Sequence, residues 1–139
     1  VTYPNRSAVE KFLDGIVKEA FESVKSELLQ YQLEVQITRK ERTIELRVSH
    51  GDEQQFVYGV HRRKYDQPDY AATELVPQAQ AANKSQHLDI DAEQSYYRAE
   101  VHLTEGGQDY DIMGWSKIAV INDVIDQYHK HQHFLHLLR

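Results

Sequence analysis

Apolar residues recur at helical spacing near both ends of the chain and alternate with polar residues between them. Val9, Phe12, Leu13, Ile16, Val17, Ala20, Phe21, Val24 and Leu28 fall on one wide stripe, with Glu10, Lys11, Asp14, Lys18, Glu19, Glu22 and Lys25 facing away. That periodicity predicts an amphipathic helix ending near Gln30. Tyr3-Pro4 favours an extended approach, and Ser7-Ala8-Val9-Glu10 reads as a capping box with Ser7 as N-cap. Period-two runs follow. Leu33, Val35 and Ile37 share one face, as do Ile44, Leu46 and Val48, and Phe56 to Val60 forms a third run. Arg39 to Arg42 and His50-Gly51-Asp52-Glu53 read as turns, with Gly51 free to take positive φ.

The pattern lapses from Tyr65 to Ser95. Pro68 and Pro77 punctuate it, and Ala79 to Ser85 is small, polar and of low complexity. A loop of this length in a compact domain is uncommon, and 65–95 reads as a long mobile excursion. Alternation returns at Tyr96. Tyr97, Ala99, Val101 and Leu103 oppose Tyr96, Arg98, Glu100 and His102, and Gly106-Gly107 marks a hairpin into Asp109 to Ile112. Gly114 then breaks the strand, Ser116 suits an N-cap, and Ile118, Ile121, Val124, Ile125, Tyr128, Leu135 and Leu138 trace a second helix. The expected fold is α+β: an antiparallel sheet of about five strands, with an N-terminal and a C-terminal helix packed on one face.

Composition narrows the class. At 139 residues the chain predicts one domain, 1–139. It has no cysteine, so no disulfide holds it. It lacks an apolar run near the roughly 20 residues that span a bilayer, and no signal peptide opens it, so it reads as a soluble piece. The net charge of −6 argues against nucleic acid as a general partner and against wholesale adhesion to an anionic membrane.

Candidate chemistry is sparse. His61-Arg62-Arg63-Lys64 is the concentrated basic run. It reads either as a solvated strand end or, through Arg62, Arg63 and Lys64, as a contact for anionic lipid headgroups or an acidic partner. His129, His133 and His136 share a flank of the last helix, but the first and third stand about 10 Å apart along its axis, awkward for one metal ion. Asp89 with Asp91, and Asp109 with Asp111, are acidic pairs best read as solvated. No nucleophile elbow and no phosphate loop occurs, so neither catalytic nor cofactor nor metal residues are assigned and the chain does not read as an enzyme. Phe134, Leu135, Leu137 and Leu138 make the last helix end apolar nearly all round. It must be covered either by this domain or by a second copy or another domain, with Phe134, Leu135 and Leu138 the candidate interface.

Several separate blocks carry a resemblance. They are His50-Gly51-Asp52-Glu53-Gln54, Phe56-Val57-Tyr58, Tyr96-Tyr97-Arg98-Ala99-Glu100, Glu105 to Met113, Val120 to Tyr128, and His133-Phe134-Leu135-His136-Leu137. In this order they resemble the cytoplasmic C-terminal tail of choline transporters of the bacterial betaine/choline/carnitine transporter family. His129 stands where that pattern leads one to expect a glutamate. The resemblance implies a parent importing choline or a related quaternary ammonium solute on an ion gradient. This chain would be its regulatory domain on the cytoplasmic face of the inner membrane, tuning uptake to osmotic conditions. Its partners would be the membrane-embedded part of the same polypeptide and, at Arg62 to Lys64, an anionic lipid surface. The aromatic substrate box of such transporters lies in membrane helices, so no transport residue carries over to this chain.

Overall fold

The computed structural model of the protein describes residues 4–66, 95–104, 106 and 109–137. The first helical stripe forms one continuous rod of three parts: α1 (Arg6–Phe12), a π-helical turn (Leu13–Val17) and α2 (Lys18–Leu29). The spacing of its buried residues explains the π turn. Val9, Leu13, Val17, Phe21, Val24 and Leu28 mark successive contacts with the core. Nineteen residues over five turns is 3.8 per turn, more than the 3.6 of an α-helix, and one wider turn absorbs the excess. The cap differs from the capping box read in the sequence. Asn5, not Ser7, is the N-cap: its Oδ1 accepts from the Ala8 N–H at 2.8 Å. Glu10 does not turn back to the helix start because two arginines from the sheet claim it. Gln32, at φ 62, takes the left-handed conformation that ends the rod.

The sheet is an antiparallel meander in the order β1 (Glu34–Arg39), β2 (Thr43–Ser49), β3 (Phe56–Asp66), β4 (Ser95–Leu103), β5 (Tyr110–Asp111). Register puts the apolar alternation on one face: Val35 opposite Val48, Ile37 opposite Leu46, Leu46 opposite Tyr58, and Val60 opposite Val101. Strand β3 runs well past Val60, through the basic residues to Asp66. Arg62 to Asp66 pair with β4 alone, since β2 pairing stops at His61, and Asp66 and Ser95 close the ladder as partners. The ends of the expected 65–95 excursion are therefore strand, and its interior, 67–94, lies outside the described residues.

The last helix, α3 (Lys117–Leu137), starts as expected: the Ala119 N–H donates to Ser116 Oγ at 3.1 Å, and Gly114 takes φ 86 where the strand breaks. Its buried seam is Val120, Val124, His131 and Leu135, rotated from the expected stripe so that Ile118 stays exposed. The helical rod and α3 both lie on the apolar face of the sheet and pack on each other, which is the α+β architecture read from the sequence. Phe21 meets Tyr58 edge to face, centroids 5.8 Å apart, where rod and sheet join, and Phe56 meets Tyr128 likewise at 5.4 Å under α3.

Candidate functional site

Among the described residues, polar groups gather in three places. The first lies inside. Tyr58, fully buried on β3, donates its hydroxyl to Asp123 Oδ2 of α3 at 2.5 Å, and Tyr110 of β5 donates to the same oxygen at 2.5 Å. Gln127 Nε2, one turn further along α3, donates to the Tyr110 hydroxyl at 3.4 Å. Burial, then the neighbouring carboxylate, pushes the Tyr58 and Tyr110 hydroxyls well above the ordinary phenol range. A carboxylate held by two phenols clamps the helix to two strands. Sequence reading missed it because its members are 65 and 13 positions apart; the one available signal was a polar Asp123 beside an apolar stripe.

The second is the outer face of β3, β4 and β5, opposite the helices. Glu100 sits here at 3% exposure, because Tyr65, Arg63 and Arg98 close over it. The Tyr65 hydroxyl donates to it, Arg63 and Arg98 lie 3.5 and 3.4 Å from its oxygens, and the Arg98 guanidinium stands over the Tyr65 ring. Arg63 also reaches Asp109 at 3.5 Å, and Arg98 reaches Asp111 at 3.6 Å. Asp111 Oδ1 further accepts from the Ala99 and Met113 N–H groups. The acidic pair Asp109 and Asp111 is thus engaged by cations and amides rather than merely solvated; Asp89 and Asp91 lie outside the described residues. Beside them His61 and His102 meet edge to face at 5.4 Å, and burial with the His102 charge holds His61 below the ordinary imidazole range.

The third is the far end of β3. The alternation of the strand splits the basic run: Arg62 turns towards the helices, Arg63 to the outer face, and Lys64 back to the helix side. The Arg62 side chain is only 6% exposed and pairs with Glu10 Oε1, while Arg39 takes Glu10 Oε2 and Asp14. Although alternation parts their side chains, Arg62, Arg63 and Lys64 line one open hollow together with Arg42 and His61. Arg6, distant in sequence, joins Arg42, Arg62 and Lys64 in a second, adjoining hollow.

At the end of α3, Leu135 is buried at 8% exposure, so of the candidate interface residues it serves this domain's own packing. Phe134 and Leu137 are 39% and 68% exposed, and Leu138 lies outside the described residues. His129, His133 and His136 are exposed. The histidine that the fold uses is His131, whose Nε2–H donates to the Gln54 carbonyl at 3.0 Å against the Phe56 ring. Among the described residues no three His, Asp or Glu side chains are grouped to hold a metal ion. Nor, among them, is any helix long and apolar enough to cross a membrane.

No protein-family model matches the chain. It is 34% identical over 138 residues to a glycine betaine transporter of Acinetobacter baylyi, 99% of this chain and 19% of that protein. It is 28% identical over 146 residues to the high-affinity choline transport protein of Escherichia coli, 100% of this chain and 19% of the relative. An osmo-dependent choline transporter of A. baylyi is 28% identical over 144 residues, again 99% and 19%. The chain thus spans about a fifth of the length of the curated relatives it matches. These matches bear out the resemblance read from the sequence blocks: over its whole length, this chain is related to one segment of the bacterial glycine betaine and choline transporters.

Proposed function

We propose that the chain is the C-terminal regulatory domain of a choline or glycine betaine transporter, facing the cytoplasm at the inner membrane and tuning uptake to osmotic conditions. The observation that carries this reading is full-length similarity to one segment of transporters, one of which is named osmo-dependent. The outer face of the sheet supplies a physical route. Its ion pairs, Arg63 to Asp109 and Arg98 to Asp111, are partly exposed and stand at 3.5 and 3.6 Å. Loss of cell water raises internal ionic strength, and the screening length falls from about 10 Å at 0.1 M to about 3 Å at 1 M. A surface held to the rest of the transporter by such charges weakens its grip as salt rises, which shifts a balance between two docked states. The test is choline uptake over a range of osmolalities, comparing the full-length parent with one lacking this segment. Basal uptake kept with the osmotic response lost supports regulation. Uptake and response both unchanged sinks it.

Phe134 and Leu137 support a second reading, a dimerisation module, because two large apolar side chains stand exposed at one helix end. Leu135 is unsuited to the test, since its replacement empties the domain's own packing. Sedimentation of wild type against Phe134→Ser/Leu137→Ser decides it: a wild-type dimer that becomes a folded monomer supports the interface, and a wild-type monomer ends it.

A further inference from the structure

We propose that Arg6, Arg42, Arg62 and Lys64 form a cleft that binds a phosphate-bearing anion. The four cations and the Tyr97 ring line one hollow of about 230 Å³. Its walls are set by backbone bonds rather than by side-chain chance. The Arg62 N–H donates to the Arg42 carbonyl at 2.7 Å, which fixes the β1–β2 turn beside β3. The Tyr97 N–H donates to the Pro4 carbonyl at 2.9 Å, which ties the segment before α1, and with it Arg6, to β4. Lys64 lies directly opposite Tyr97 in the ladder. The Arg62 guanidinium is pinned from behind by Glu10 and rests 5.9 Å over the Tyr97 ring, so it enters the cleft already oriented.

The charge balance there is unusual for this chain. Acidic residues outnumber basic ones by 22 to 16, yet four of the sixteen stand around one hollow. Glu10 is the one acidic partner among them, and it is shared with Arg39. Among the described residues, Arg6, Arg42 and Lys64 meet no carboxylate. Like charges held together by a fixed backbone repel, and an anion with several oxygens relieves that repulsion. Three guanidinium forks suit such an anion better than ammonium groups would, because each can give two parallel hydrogen bonds to phosphate oxygens. The shared chemistry is a phosphate group, presented either free in solution or on a lipid headgroup.

The experiment uses the 139-residue chain and two probes: inorganic phosphate by calorimetry, and phosphatidylcholine vesicles with and without phosphatidylglycerol by co-sedimentation. Arg42→Gln/Lys64→Gln removes two exposed cations that carry none of the core, leaving Arg62 on Glu10. Arg47→Gln, on β2 beside Glu45, removes the same kind of charge away from the cleft. The expected result is saturable binding of at least one probe, weakened about tenfold or more by the double variant and less than about twofold by Arg47→Gln. Phosphate binding in solution identifies a soluble ligand. Vesicle binding that requires phosphatidylglycerol, without phosphate binding, identifies a headgroup. Binding of neither probe overturns the proposal, as does an equal loss in Arg47→Gln, which would mark general charge attraction.

Discussion

Replacing Tyr58 by Phe removes one hydroxyl and leaves the ring, so the change isolates the bond to Asp123. The phenol is fully buried and donates at 2.5 Å to a carboxylate, and a hydrogen bond to a charged group contributes about 1.5–3 kcal/mol. Asp123 keeps Tyr110 and Gln127, so no acceptor is orphaned, and a cost of about 2 kcal/mol is expected at neutral pH. The pH dependence is the sharper signature. The folded-state pKa of Tyr58 is raised above the unfolded value near 10, so its stabilisation is complete below pH 10 and lost as pH rises further. Phe cannot lose a proton, so the wild type sheds its advantage at about 1.4 kcal/mol per pH unit above 10. A gap of about 2 kcal/mol at pH 8 should shrink to about 0.6 kcal/mol at pH 11. Guanidinium unfolding followed by circular dichroism at pH 8, 9, 10 and 11 measures it. Tyr31→Phe, at a largely exposed position, is the control and should change neither value nor slope. A gap constant from pH 8 to pH 11 would refute the argument, because it would mean the buried phenol ionises as easily folded as unfolded.

Three further outcomes are expected. Glu10→Gln leaves the Arg62 guanidinium buried without its carboxylate and should cost about 2–3 kcal/mol in denaturant unfolding; adding Arg62→Met should recover part of that loss, as a double-mutant cycle would show. Gly15→Ala should stabilise the rod by about 0.5–1 kcal/mol, read as a rise in Tm of a few degrees, because a Cβ there meets nothing within 4 Å and the unfolded chain loses freedom. His61 is held below the ordinary imidazole value, so the unfolded state takes up its proton first and stability falls as pH drops below about 6.5. His61→Gln should flatten that fall by a few tenths of a kcal/mol, a small effect because the ring is only partly buried.

Local rules carried most of the architecture. Alternation placed all five strands and helical spacing both helices, since each element buries one face and its period is written in its own residues. What escaped was non-local. Ser7 and Glu10 satisfy the capping rule, but Arg39 and Arg62, 29 and 52 positions on, bind Glu10 more strongly than the helix start would. The basic run reads as the end of the third strand, yet β3 continues to Asp66, because polar residues extend a strand when a partner strand lies alongside. Alternation assigns Glu100 the face opposite Ala99 and Val101 but says nothing of the Tyr65 and Arg98 side chains that fold over it. In the basic run, the sequence shows the charges but not their company: Arg42 and Arg6 come to Arg62 and Lys64 from turns and segments far away in the chain.

The π turn at Leu13–Val17 acts as a phase adjuster. One extra residue in a helix rotates everything before it by about 100° relative to everything after it. Here the part after the turn is indexed to the spacing of the sheet, through Val17, Phe21 and Val24, and the part before it to Arg39 and Arg62, through Glu10. A single unbroken helix therefore meets two templates whose periods do not match. Winding the same residues as plain α-helix would leave Val17, Phe21 and Val24 on the core and swing Val9 off it together with Glu10, away from both arginines.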